Sequence, residues 1–286
     1  MHLLSDILYP IVYYLVRYRR KVTRQNLLRA YPDRSDEERQ HIERAYYHHL
    51  CDLLMEALYN LYARPSSIMK RYHFANRQLV NKYYDRGQSV VLMSAHYNNW
   101  EYMITSLNFQ LMHHGIGVGK PLDNKSMAKY ATRRRSRFGT QIVDQTDVRQ
   151  EMAYYHEHHV PVAYMMLSDQ SPSNEHKSYW TTFMNQETPF LYGAEYFARK
   201  YNMPVLYYEV EKTRRGHYEV HFSLLCEKPD EVPQYTITAR YVQRLAATID
   251  RNPQYWLWSH RRWKRIRPAD MPLHPALPAE PQHPST

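Results

Sequence analysis

Ser89-Val90-Val91-Leu92-Met93-Ser94-Ala95-His96-Tyr97-Asn98-Asn99-Trp100-Glu101 decides how this chain is read. A mostly apolar run leads straight into a histidine, and an acid follows five positions later. A buried strand that ends in a polar, titratable cluster is where α/β folds place their chemistry. Histidine takes a proton near neutral pH, and a carboxylate can orient and charge-stabilise the imidazolium. Five residues turn roughly 140° on a regular helix, so His96 and Glu101 meet only if His96 lies in the loop before the helix and Glu101 in its first turn. Asn98 and Asn99 suit an N-cap and an acid suits the first turn. Taken alone, the stretch fits a base with its carboxylate and equally a core histidine with a capping acid.

Outward from this stretch, strand-like runs at 89–95, 141–143, 160–167, 204–210 and 218–225 alternate with helix-like runs at 101–114, 124–137, 147–158, 191–202 and 236–250. Such alternation predicts an α/β fold with a mixed, largely parallel sheet flanked by helices. The run Val160–Leu167 ends at Asp169, the same strand-end placement as His96. Asp169 is therefore a second candidate, for an acceptor hydroxyl or an arginine. Ser35-Asp36-Glu37-Glu38 is a capping box for a long helix. Its stripe of Ile42, Tyr46, Leu50, Leu53, Leu54, Ala57, Leu58 and Leu61 is expected to face the core. From Pro272 to Pro284 proline recurs every third residue, which favours a disordered tail. The chain thus divides into an N-terminal segment, 1–34, a main domain, 35–268, and a Pro-rich tail, 269–286.

The 286 residues carry a formal charge of +10, which attracts phosphates in nucleic acid, lipid headgroups or an acidic carrier. Tyrosine outnumbers phenylalanine 28 to 7. Tyrosine suits membrane interfaces, and equally replaces phenylalanine in a core. Cys51 and Cys226 are the only cysteines, which excludes a disulfide scaffold. Leu3 to Val16 is mostly apolar but shorter than the ~20 residues that span a bilayer. Arg17, Arg19, Arg20, Lys21 and Arg24 follow at once. That order reads as a helical, membrane-anchoring segment lying in the interface, held by anionic headgroups, or else as a terminal helix packed on the protein itself.

Several chemistries are set aside. Gly115-Ile116-Gly117-Val118-Gly119-Lys120 lacks the spacing of a phosphate loop, and Pro121 stands where a magnesium-binding Ser or Thr is needed. His156-Glu157 has Val160 in place of the second histidine of a zinc helix. No Gly-x-Ser-x-Gly elbow is present. Neither a metal nor a cofactor is expected.

Four further stretches carry a resemblance. They are Tyr18–Pro32, with its basic patch, Asn26-Leu27 and Tyr31-Pro32; Lys120-Pro121-Leu122-Asp123-Asn124 with Arg133, Arg134, Arg135, Arg137, Phe138 and Gly139; Leu167-Ser168-Asp169-Gln170 with Phe183, Thr188 and Gly193-Ala194-Glu195; and Pro253 to Lys264, containing Trp256, Trp258, His260, Arg261 and Arg262. Together with His96-x4-Glu101, and in this order, the chain resembles the bacterial lipid A late-acylation acyltransferases. Thr182-Phe183-Met184-Asn185 departs from that family, where Phe-Phe-Gly is usual.

The resemblance implies a glycerolipid-acyltransferase-like fold and transfer of a fatty acyl chain from an acyl thioester to a hydroxyl of a lipid A precursor. The donor would be acyl carrier protein, or acyl-CoA. Another glycolipid, aminolipid or lysophospholipid remains open as acceptor. It implies His96 as base and Glu101 as its orienter. Lys120, Arg135, Arg137, Asp169 and Glu195 are the candidate substrate-binding residues, although most of the arginines also fit a solvated helix face, and Asp169 and Glu195 also fit a cap or a structural salt bridge. The place of work would be the cytoplasmic face of a bacterial inner membrane, with no nucleic acid as partner. A basic protein that binds anionic membrane or nucleic acid without catalysis would account for the charge. It would not account for His96, Glu101 and Asp169 at strand ends.

Overall fold

The computed structural model of the chain describes residues 2–119, 130 and 132–277. Helices α1 (His2–Pro10), α2 (Arg20–Ala30), α3 (Asp36–Tyr62) and α4 (Pro65–Met69) come first, with an irregular helical segment, Ile11–Val16, between α1 and α2. Then follow β1 (Tyr72–Phe74), α5 (Gln78–Tyr84), β2 (Val90–Ser94), α6 (Trp100–Gln110), β3 (His114–Gly119), β4 (Gln141–Asp144), α7 (Val148–Glu157) and β5 (Val162–Leu167). The chain continues through β6 (Ser178–Phe183), β7 (Gln186–Leu191), α8 (Gly193–Lys200), β8 (Val205–Arg214), β9 (His217–Cys226) and α9 (Thr236–Arg251).

Seven strands form one sheet in the order β1-β9-β8-β2-β5-β3-β4, parallel throughout except where β8 and β9 form an antiparallel pair. The α/β sheet expected from the alternating runs is thus present, mixed and largely parallel. Successive residues of β2 point to opposite faces and both faces are covered. Val91 and Met93 join the core beneath α9, whereas Val90 and Leu92 join the core beneath α6. This is why β2 reads as a continuous apolar run rather than an alternating one.

Two elements lack a clear strand signal in the sequence. β3 reads as a failed phosphate loop, because three of its six residues are glycine. The glycine at 115 serves close packing: a Cβ there would lie 2.9 Å from Leu107 Cβ of α6. The hairpin β6–β7 is the other. Its tip, Met184-Asn185, has φ of +49° and +62°, the left-handed pair that a two-residue hairpin needs. The stretch that departs from the family pattern is therefore a tight turn. His274 reaches back to this hairpin, donating its N–H to Trp180 O at 2.8 Å and stacking on Tyr179.

The capping box at Ser35 is formed, and α3 runs 27 residues from it. Its stripe is not all core. Ile42, Tyr46 and Leu50 are buried, but Leu54 and Leu58 are exposed, and Glu56 and Asn60 take the buried face. Among the described residues no helix is long and apolar enough to cross a membrane. α1 is held to the fold by polar groups. Ser5 Oγ donates to Asp52 at 2.6 Å, and Arg215 bridges Asp6 and Asp52.

Candidate active site

β2 and β5 are parallel neighbours with Ser94 opposite Leu167. Continuing that register by two residues sets His96 opposite Asp169, at the carboxyl edge of the sheet where open α/β folds bind their ligands. His96 Nδ1 lies 2.7 Å from Asp169 Oδ1, and the His96 backbone N–H donates to Oδ2 at 3.1 Å. Trp256 Nε1 donates to the same Oδ2 at 2.9 Å. Burial works to raise the Asp169 pKa, but the His96 charge and these three donors outweigh it and hold the carboxyl below its usual range. An ionised acceptor on Nδ1 fixes the ring with its proton on Nδ1 and a lone pair on Nε2. Gln170 Nε2 is 3.2 Å from that nitrogen.

The loop from His96 into α6 is pinned at each residue. Tyr97 bridges to Trp256, the Asn98 N–H donates to Tyr255 O, and Asn98 Nδ2 donates to Val210 O at 2.6 Å. Asn98 takes a left-handed φ of +51°, which asparagine tolerates. Asn99 Oδ1 caps α6 by accepting from the Tyr102 N–H, and its Nδ2 donates to Glu56 Oε2 at 2.6 Å. Glu56, fully buried, also accepts from Tyr218, and burial raises its pKa. These contacts hold His96 and the loop after it in one geometry.

Glu101 is in the first turn of α6 as expected, but it does not orient His96. Arg135 takes its carboxylate in a fork, Nε to Oε2 at 2.9 Å and Nη2 to Oε1 at 2.5 Å. The carboxylate hydrogen-bonded to His96 is Asp169, expected above to serve an acceptor hydroxyl or an arginine. Strand register brings residue 169 alongside residue 96. Arg137 is also placed otherwise than expected. It donates to Asn60 O and Ala63 O, and Arg134 to Leu61 O, so these two close the carbonyl end of α3. Glu195 is fully buried and accepts from Tyr235 N, Thr238 N and Thr238 Oγ1. It caps the start of α9, whose own N-cap residue supplies no side-chain acceptor, and keeps no face for a substrate. Lys120 lies outside the described residues.

The Trp256–Arg262 block forms a buried collar without a strand. Trp256, Trp258 and Arg262 are at most 2% exposed. Burial lowers the Arg262 pKa to about 10, with the Asp169 charge opposing that shift. Arg262 lies 4.5 Å over the Phe190 ring and donates to Pro189 O. His260 Nε2 accepts from the Ser171 N–H, and burial pushes its pKa down to about 4. In the sequence Trp256 and Gln170 stand out only as parts of motifs. Their contacts with Asp169 and His96 span about 90 and about 70 residues, which no local pattern reveals.

A cleft of about 580 Å³ opens between α3, α6 and the arginine segment. Leu50, Leu54, Leu58, Leu61 and Leu8 line it, with Trp100 and the Glu101–Arg135 pair at one end. The Trp100 ring, which lines the cleft, packs edge-on to His96, centroids 5.2 Å apart. Among the described residues no group of three or more His, Cys, Asp or Glu could hold a metal ion. The arrangement suits proton removal beside a long apolar slot. The family model described as bacterial lipid A biosynthesis acyltransferase matches residues 5–265. No curated protein matches the chain.

Proposed function

This chain belongs to the bacterial lipid A biosynthesis acyltransferase family and is an acyltransferase; within that activity, we propose that it moves a fatty acyl chain from a carrier-protein thioester to a hydroxyl of a lipid A precursor, with His96 and Asp169 as its base and orienting acid. The supporting observation is the His96–Asp169 pair at the ends of two adjacent parallel strands. The acceptor O–H gives its proton to His96 Nε2 as its oxygen attacks the thioester carbon. Asp169 steadies the imidazolium through Nδ1–H. Collapse of the tetrahedral intermediate breaks the C–S bond, and the thiolate takes the proton from Nε2. No covalent enzyme intermediate is needed, because the thioester is already activated.

The leucine-lined cleft takes the acyl chain, and the Glu101–Arg135 pair marks its polar end. Arg135 keeps a third of its side chain exposed, so its fork can meet a substrate phosphate as well as Glu101. Leu3, Leu4, Ile7, Leu15 and Val16 are exposed, with Arg17, Arg19 and Lys21 beside them. Leu8 of the same helix lines the cleft together with Leu54 and Leu58. This face rests on the anionic cytoplasmic surface of the inner membrane, which delivers a lipid acceptor to the cleft.

The test is transfer of labelled acyl chain by the purified protein, from acyl carrier protein and from coenzyme A, to a lipid A precursor in mixed micelles. Mass spectrometry of lipids from a deletion strain complements it, a lipid lighter by one acyl chain being expected. Unchanged lipids together with no transfer from either donor would overturn this reading.

A further inference from the structure

We infer that Gln170 caps the base and restrains thioester hydrolysis until an acceptor hydroxyl displaces it; this rests on the acyltransfer reading above. Asp169 can only accept, so Nδ1 of His96 carries the ring proton and Nε2 presents a lone pair. The group 3.2 Å from that lone pair is Gln170 Nε2. The donor-acceptor logic sets the orientation of the amide, since a carbonyl oxygen there would face a lone pair. The base is thus occupied in the enzyme without acceptor.

The neighbours of Gln170 are fixed and its own side chain is less so. Asp169 is held by His96 and Trp256, and the Ser171 N–H is held by His260. The Gln170 side chain, partly exposed, extends from this anchored loop to His96. A tethered amide competes well with a free water for one lone pair. A lipid acceptor brings binding energy from the rest of its structure and wins the exchange. Without the cap, water would give its proton to Nε2 and its oxygen would bond to the thioester carbon. The C–S bond would break and the thiolate would be protonated from Nε2, releasing fatty acid and free thiol.

The experiment measures free thiol from acyl-carrier-protein thioester without acceptor, and acyl transfer with saturating acceptor, for wild type, Gln170→Met and Gln170→Leu. Neither replacement can donate to Nε2 or place a charge against it, and the site is partly open. Both should raise hydrolysis relative to transfer, by roughly two- to tenfold, the fold-change that one net hydrogen bond represents. The increase should vanish in the Gln170→Met/His96→Ala double variant. An unchanged ratio, or a parallel fall of both rates in both variants, would overturn the cap. So would extra hydrolysis that persists without His96. Failure of the acyltransfer reading shows separately, as transfer that survives His96→Ala alone.

Discussion

Glu101, in the first turn of α6, and Asp169, just beyond β5, are the two carboxylates of the site, and their surroundings are opposite. Asp169 is 3% exposed, accepts three hydrogen bonds and holds the imidazole. Glu101 has a side chain 24% exposed and is taken by one arginine at the end of a cleft. Closeness in sequence favoured Glu101 as the partner of His96; strand register gave that place to Asp169. The lesson is that an acid shortly after a histidine in such a motif can pair with an arginine, while the carboxylate on the imidazole comes from the neighbouring strand.

This contrast is easiest to break with paired substitutions. Asp169→Asn keeps the size and the Trp256 contact but removes the charge and the tautomer control. It should cost about 10²–10⁴-fold in kcat, close to the loss from His96→Ala. Steady-state rates of both variants decide it, and an Asp169→Asn enzyme within threefold of wild type would return the orienting role to Glu101.

Glu101→Gln should be milder and should act mainly through KM, about tenfold, because it frees Arg135 without touching the dyad. A pair this exposed contributes about 0–1 kcal/mol to stability, so melting should barely move. If Glu101→Gln matches Asp169→Asn in kcat, the two carboxylates are not separable in the way argued here.

Glu56 tests the rigid side of the comparison. Glu56→Ala leaves Asn99 and Tyr218 with buried unpaired donors and should destabilise by about 1–3 kcal/mol in denaturant unfolding. Glu56→Gln keeps an acceptor and removes a carboxyl that burial already disfavours as a charge. It should cost well under half as much. Equal losses in the two variants would show that the α6 cap does not depend on this acceptor.

The smallest effect is in pH. Burial lowers the pKa of His113 and His260 to about 4, below the unfolded value of 6.5. Between those values the unfolded chain binds more protons, so stability rises with pH there and is lost as pH falls from about 6.5 toward 4. The Asp169 carboxyl, held low, adds stability that is lost only further down, below its unfolded value of 3.8. Thermal melts from pH 7 to 4.5 should therefore decline, and less so for His260→Gln. A His260→Gln protein with the same slope would show that His260 takes up its proton as readily in the folded protein as in the unfolded chain.

The sequence by itself determined the sheet and much of its framing. The apolar runs at 89–95, 160–167 and 204–210 become β2, β5 and β8, since burial on both faces leaves a signal that one chain carries alone. The capping box of α3 was legible because it is local, its partners three residues apart. His96 and Asp169 were both picked out as strand-end residues. Their pairing was not, because it depends on which strands become neighbours and in what register, and that is settled by the packing of the whole sheet. The same reason hid which helix Glu195 caps, Arg137 on the carbonyl end of α3, and Gln170 against His96. Each is a polar side chain satisfied by a partner far away in the chain, and only tertiary structure decides where such groups find their hydrogen bonds.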